Sequence, residues 1–200
     1  MTRLGLLPRL LLGLLLILSA QRALAQDPRL VQRLGAPAAD SVMRLMAAAE
    51  SEGLPTAPLM AKAQQGAARG VAPALVLRAV ANLSDALRSA RVALGPGRGT
   101  DELTAGAAAL QNGADQSLLR RLARATGTRP VTMTLVVLTD LLARGVPGDT
   151  LATMLANAAQ RGVSDQELLR MRETISRDIA SGTLPLDAAS SRISSLPVRP

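Results

Sequence analysis

The chain has 200 residues and a formal net charge of +8, and it contains no His, no Cys and no aromatic residue. These absences exclude an imidazole proton shuttle or metal ligand, a thiolate nucleophile or metal site, and a disulfide. They also exclude stacking of bases or sugars on aromatic rings. The composition therefore predicts a protein with no metal, no cofactor and no catalytic residues of the common enzyme classes.

Residues 1–25 are typical of a secretory signal peptide. Arg3 and Arg9 give a basic start, residues 10–18 are apolar, and a small-x-small cleavage sequence ends at Ala25. The apolar run is shorter than the about 20 residues that span a bilayer, and an uncleaved membrane anchor is the alternative interpretation. We expect cleavage after Ala25 and a periplasmic or secreted protein. Its net charge would be +5, because cleavage removes three of the 23 basic residues and none of the 15 acidic ones.

A short glycine unit recurs along the expected mature chain. Each copy has Gly, an apolar or small residue, a polar or Pro-containing start, and then Leu at helical spacing. Glycine ends a helix because it adopts the left-handed conformation without a steric penalty, and Pro, Ser or Asp then begins the next helix. Copies begin at Gly53, Gly70, Gly113, Gly145 and Gly162, with a degenerate copy at Gly182.

The spacing of these copies bears on the architecture. The interval from Gly53 to Gly70 equals the interval from Gly145 to Gly162, but the two intervals on either side of Gly113 are much longer and interrupt the period. A strict solenoid would keep one period throughout. The pattern predicts an all-α fold, either an irregular multi-helix bundle or a short superhelix of helix–Gly-turn–helix units.

The domain organisation follows from apolar periodicity and capping residues. We expect one helical domain over residues 38–194, after a flexible N-terminal segment at 26–37 and before a disordered tail at 195–200. The glycine-rich loop 95–100 is the expected internal boundary. Residues 131–142 are apolar nearly all round, which favours a central helix and leaves a strand as the alternative. Helices are predicted near residues 38–51, 56–69, 73–93, 101–111, 115–125, 131–144, 148–161, 165–181 and 186–194.

Seven arginines in the middle of the chain are the candidate site for an anionic partner. Only three acidic residues accompany them, so the local net charge is +4. Guanidinium groups bind phosphate or carboxylate through paired hydrogen bonds. The alternative is a solvated helix face with local ion pairs, and nucleic acid is disfavoured because the chain is expected to be exported and lacks aromatic residues. The candidates are Arg88, Arg91, Arg98, Arg120, Arg121, Arg124 and Arg129.

Other candidate sites have simpler explanations. The loop 95–100 lacks the ending of a phosphate-binding P-loop, and the carboxylates of Asp101 and Glu102 would occupy the positive helix end that an anion needs. Two carboxylate pairs could serve a hydrolase, but each lies at one helix end, where it has a capping or solubilising role. These pairs are Glu50 with Glu52 and Asp165 with Glu167, and Glu167 also forms a capping-box pattern with Ser164.

The most distinctive run is residues 59–71, LMAKAQQGAARGV, in which Gly66 interrupts a helix. Glycine inside a helix costs about 1 kcal/mol relative to Ala, so we expect a close helix crossing there. With the downstream glycine turns, over about residues 45–180, this run resembles uncharacterised exported all-helical bacterial proteins. The resemblance implies a helical fold and export, and it carries no activity, ligand or site.

These observations favour a non-enzymatic interaction or scaffold protein of the bacterial cell envelope. Its partner would be an unidentified protein or an anionic envelope component. The first alternative is a peripheral binder of anionic envelope surfaces through the seven arginines. The second alternative is a hydrolase that uses carboxylates alone.

Overall fold

The computed structural model describes residues 28–193, where the backbone forms helices joined by short turns. The expected signal peptide, its cleavage site and the tail at 195–200 lie outside this range. Within it the fold is all-α, and the apolar run at 131–142 lies in a helix that begins at Thr132 and not in a strand. The helices are α1 Pro28–Leu34, α2 Ala36–Ser51, α3 Ala57–Ala68, α4 Pro73–Leu94, α5 Thr100–Gln111, α6 Gln116–Thr126, α7 Thr132–Ala143, α8 Gly148–Gln160, α9 Asp165–Ala180 and α10 Pro185–Ile193.

The helices α2 to α10 begin and end close to their predicted bounds. The expected flexible segment at 26–37 is corrected, because residues 28–34 form α1 and α2 begins at Ala36. A helix as short as α1 is not stable alone in water. Leu30 and Leu34 lie one turn apart and are buried, with 2% and 6% of their surface exposed. Burial against α2 and α3 therefore stabilises α1.

The helices are arranged in two rows. Every extensive contact joins a helix to its next or next-but-one neighbour in the chain. One row contains α2, α4, α6, α8 and α10, and the other contains α5, α7 and α9, while α1 and α3 pack together at the N-terminal end. This pattern of near-neighbour contacts is that of a short superhelix, in which the aliphatic core runs between the rows.

The six predicted glycine turns share one backbone motif. After α2, the Gly53 N–H donates to the Glu50 carbonyl at 2.8 Å, and the Leu54 N–H donates to the Ala49 carbonyl at 2.8 Å. This is a Schellman motif, which satisfies helix carbonyls that otherwise lack a partner. The glycine has a positive φ in every copy, between 66° and 98°. The same pair of hydrogen bonds occurs at Gly70, Gly113, Gly145, Gly162 and Gly182, so the predicted turns are confirmed.

Small residues allow the helices to approach closely. A Cβ on Gly66 in α3 would lie 2.8 Å from Cγ2 of Val76 in α4, which confirms the expected close crossing. Gly106 in α5 has the same role against α4, where a Cβ would lie 3.0 Å from the Cβ of Ala90. With no aromatic residue available, close backbone approach and Leu side chains fill the interior. Fully buried side chains include Leu59, Leu87, Leu119, Leu135, Met154 and Ile175.

Candidate functional site

The structure divides the seven candidate arginines into two groups. Four of them bind acceptors of their own chain, beginning with Arg88 on α4. Its Nε and Nη2 donate to the two carboxylate oxygens of Glu52 at 2.7 and 2.8 Å, and its Nη1 donates to Asp85 at 2.7 Å. The hydrogen bond from Arg88 lowers the pKa of Glu52, although desolvation opposes this effect. The Glu52 carboxylate is therefore an anion in a bidentate ion pair with Arg88. It does not form an acid–base pair with Glu50.

The other three arginines of this group donate to backbone carbonyls at helix ends. Arg91 donates to the carbonyl of Glu52, which directly follows α2. Arg98 donates to the Gly127 carbonyl at 2.7 Å, directly after α6, and Arg129 donates to the Ala159 carbonyl in the last turn of α8. Carbonyls at helix C-termini lack partners within the helix and carry partial negative charge, so a guanidinium stabilises them.

Arg98 and Glu102 form a largely buried clamp between two loops. Their side chains are 11% and 13% exposed, and Arg98 Nη1 lies 2.8 Å from Glu102 Oε1. The N–H groups of Gly99 and Val131 each donate to the same carboxylate at 3.0 Å. Burial raises the pKa of Glu102, but these three donors outweigh it and bring the pKa below its ordinary value. The expected position of a carboxylate at the start of α5 is confirmed for Glu102. Hydrogen bonds from Arg98 and to Glu102 join the loop at 95–100 and the start of α5 to the α6–α7 loop.

The second group consists of three arginines on α6, which remain exposed. Arg120 donates to Gln116 Oε1 at 3.3 Å, and Arg121 donates to Thr153 Oγ1 of α8 at 3.0 Å. Arg124 follows Arg120 by one helical turn, so the two side chains share a face. Both acceptors are neutral, so the positive charge of this face is not compensated by these contacts. We call Arg120, Arg121 and Arg124 the α6 basic face.

The remaining carboxylates of interest have local structural roles. The Ser164 N–H donates to Glu167 at 2.8 Å, and the Glu167 N–H donates to the Ser164 hydroxyl at 3.3 Å, which confirms the capping box of α9. Asp115 accepts from the Leu118 N–H at 2.8 Å at the start of α6. Between residues 28 and 193 no three His, Cys, Asp or Glu side chains form a group that could hold a metal ion.

A surface not identified from the sequence is the groove between α2 and α4, of about 460 Å³. Its apolar lining comes from Leu45 on α2 and from Leu77 and Ala81 on α4. Arg44 on α2 and Arg78 on α4 also line it, and Arg44 donates to the hydroxyl of Ser41 at 2.8 Å. Arg44 and Arg78 are far apart in the sequence and follow no shared motif, so only the packing of α2 against α4 reveals the groove. We call it the α2–α4 groove.

A second groove lies between α1 and α3. It has a volume of about 300 Å³ and is lined by Arg29, Arg33 and Gln64 together with Leu30, Ala67 and Ala68. Arg33 donates to the Ala68 carbonyl at 3.5 Å at the end of α3. The arginine therefore contributes to packing α1 on α3.

Comparison of the chain with family models, with curated proteins and with solved structures gives no match. No helix in the described range is both long and apolar enough to cross a membrane.

Proposed function

We propose that the protein is a non-enzymatic interaction protein of the bacterial cell envelope that recognises a partner protein at the α2–α4 groove. The observation that carries the proposal is an apolar groove with an arginine from each of its two helices and no acidic residue in its lining. Protein–protein interfaces combine such an apolar centre with a polar rim, and arginine is enriched in them.

The roles of the carboxylates support this proposal over a hydrolase that uses carboxylates alone. Such a hydrolase needs two carboxyl groups that face each other across the scissile bond. Glu52 is instead bound by Arg88 on a neighbouring helix, and Glu167 caps its own helix. Each of these contacts would have to be broken before the carboxylate could act as an acid, a base or a nucleophile.

Site-specific photo-crosslinking in the producing cell tests the interaction. Leu75 precedes Arg78 by three positions on α4 and is 49% exposed, so a photoreactive residue placed there would lie beside the groove. Val136 on α7, in the other row, is 40% exposed and is the matched control. We expect one discrete protein adduct at position 75 and none at position 136. Equal adducts at both positions, or none at position 75, would refute the proposed function.

Export is part of the proposal and has its own test. If the signal peptide is cleaved after Ala25, the mature chain begins at Gln26. Intact mass measurement of the protein from the periplasm or the medium should give the mass of residues 26–200. Recovery of the full-length chain in the membrane fraction would instead support an uncleaved anchor.

The α6 basic face supports a second candidate function, the binding of anionic envelope surfaces. Arg120, Arg121 and Arg124 lie close together on α6 and are exposed. Co-sedimentation with vesicles of anionic phospholipid should decrease when all three are changed to Ala, and it should weaken as salt rises, because exposed charges are screened. The matched control changes the same number of exposed arginines elsewhere, namely Arg69, Arg170 and Arg177. Equal loss in both triple variants would show a general charge effect and not a face.

A further inference from the structure

The shape of the α2–α4 groove restricts what can bind in it. On α2 the lining residues span positions 41–45, and on α4 they span positions 77–81, so each wall is about one helical turn long. The groove is also open to solvent along one side. A site of this length receives one or two side chains from a partner helix, as in knobs-into-holes packing. The groove is too short and too open to enclose a lipid acyl chain.

The charges around the groove select an anionic partner. Arg78 forms no hydrogen bond or ion pair with any residue in the described range, and Arg44 contacts the neutral hydroxyl of Ser41. The acidic side chain on the same stretch of α4, Asp85, lies 2.7 Å from Arg88 and does not line the groove. Carboxylates on a bound partner would therefore face two guanidinium groups without competition from an acidic residue in the lining.

The apolar lining on α4 is confined to one side of that helix. Leu75 lies three positions before Arg78, which places it on a neighbouring part of the same helix surface. Leu75 and Leu77 are two positions apart and point to nearly opposite sides of the helix, so Leu75, which is 49% exposed, flanks Arg78 and does not extend the lining formed by Leu77 and Ala81. The apolar surface available to a partner is therefore that of Leu45, Leu77 and Ala81, within about one helical turn on each helix.

From the length of the groove, its apolar lining and its two arginines, we propose that the α2–α4 groove binds an amphipathic helix of a partner protein whose apolar face is flanked by Asp or Glu. This inference rests on the proposed function and identifies the chemistry of the partner. The apolar side chains of the partner helix pack among Leu45, Leu77 and Ala81. The flanking carboxylates pair with Arg44 and Arg78.

A fluorescent peptide titration tests this partner class. The protein has no Trp, Tyr or Phe, so the emission of one Trp on an apolar position of the peptide reports binding without background. The probe is a synthetic helix of about 20 residues, long enough to form in water, with Leu at i, i+3, i+4 and i+7 and Glu beside them. One control peptide replaces every Glu with Lys, and another replaces every Leu with Ser.

We expect a saturable blue shift with the acidic amphipathic peptide and no shift with either control peptide. Replacing Arg44 and Arg78 together with Ala should weaken binding about tenfold, since each exposed ion pair contributes a modest part of the affinity. The double variant Arg170→Ala and Arg177→Ala removes the same charge from exposed positions on α9 and should leave the affinity within about twofold. Ala81→Glu should abolish the shift by placing a carboxylate in the groove, while circular dichroism shows an unchanged helix content.

Several outcomes would overturn the inference. Equal binding of the acidic and basic peptides, or equal loss in the two double-arginine variants, would remove the role of the groove. Binding of anionic vesicles that depends on Arg44 and Arg78 would assign the groove to lipid, and self-association that depends on them would assign it to a second copy. If the peptides fail but crosslinking at position 75 captures a protein, the partner chemistry is wrong and the proposed function stands. If both fail, the proposed function fails as well.

Discussion

Replacing Gly66 with Ala tests whether close helix approach explains a glycine inside α3. Alanine is the best helix former, and in an unhindered helix interior the change would stabilise the protein by about 1 kcal/mol. In this fold the new methyl group would lie 2.8 Å from Cγ2 and 3.3 Å from Cγ1 of Val76. Both distances are shorter than ordinary contacts between carbon atoms, which are about 3.5–4.0 Å.

The conflict is not easily relieved by a side-chain rotation. Val76 is 2% exposed, and a β-branched side chain in a helix has one strongly preferred rotamer. The helices α3 and α4 must separate instead, and overpacking of this kind costs about 1–3 kcal/mol. Subtracting the gain in helix propensity leaves a net loss of about 1 kcal/mol for Gly66→Ala. Val76→Ala alone should cost about 2 kcal/mol or more, from two lost methyl groups and the cavity that they leave.

The double variant separates the two effects. With Val76 changed to Ala the obstacle is gone, so Gly66→Ala should stabilise that background by up to about 1 kcal/mol. Urea unfolding followed by far-ultraviolet circular dichroism measures all four proteins, because a chain without aromatic residues gives no intrinsic fluorescence signal. If Gly66→Ala stabilises the wild-type protein by about 1 kcal/mol, or has the same effect in both backgrounds, the steric explanation is refuted.

Two further stability predictions concern the loops. Glu102→Gln should lower the free energy of unfolding at neutral pH by about 1–3 kcal/mol, because Arg98 and two backbone donors lose their carboxylate. The folded pKa of Glu102 lies below the unfolded one, so its contribution is complete above the unfolded pKa and is lost as the pH falls through the folded pKa. Urea unfolding at several pH values should therefore show a smaller acid-side decline in the variant, and parallel profiles would contradict the role of the clamp. Gly145→Ala should cost about 1–2 kcal/mol in the same assay, because Gly145 has a φ of +84°. Gly99, which has a φ of −76° and open space where a Cβ would lie, is the control, and Ala should cost less there, about 0.5 kcal/mol, because only the N-cap preference for Gly over Ala is lost.

Local features of this fold were predictable from the sequence because their causes are local. A glycine with positive φ ends a helix through two hydrogen bonds to the preceding turn, so the turns after Gly53 and Gly145 depend on few residues. The capping box of Ser164 and Glu167 spans only four positions, so it can also be predicted from the sequence. The helix α1 was missed because its stability comes from burial of Leu30 and Leu34 against later helices.

Features that depend on packing between helices were only partly predictable. Gly66 was identified because a glycine within a strongly helical run needs an explanation. Gly106 has the same close contact but lies among alanines, where nothing in the sequence distinguishes it. The α2–α4 groove combines residues from two helices, and no periodicity of either helix shows which residues of the other lie opposite. The arginine surface for an anionic partner stays a prediction, now centred on the three residues of the α6 basic face.

The arginines explain how a superhelix without aromatic residues connects its repeating units. Four guanidinium groups, one on α1, one on α4 and two in loops, each donate to a carbonyl at the end of a helix that packs beside them. Arginine suits this role because its planar fork donates to two acceptors at once and stays charged. These arginines are Arg33 at the end of α3, Arg91 after α2, Arg98 after α6 and Arg129 at the end of α8.

The difference between arginines that bind helix-end carbonyls and arginines that do not determines where an anionic partner can bind. An anion that recruited Arg98 or Arg129 would have to displace helix-end carbonyls, and it would lose part of the stability that those contacts provide. An anion at Arg78 displaces no described partner, and one at Arg44 displaces only a neutral hydroxyl. The binding free energy at the α2–α4 groove is therefore not reduced by the loss of a structural ion pair. For the same reason, a basic residue count alone is a poor guide to the binding surface of this protein.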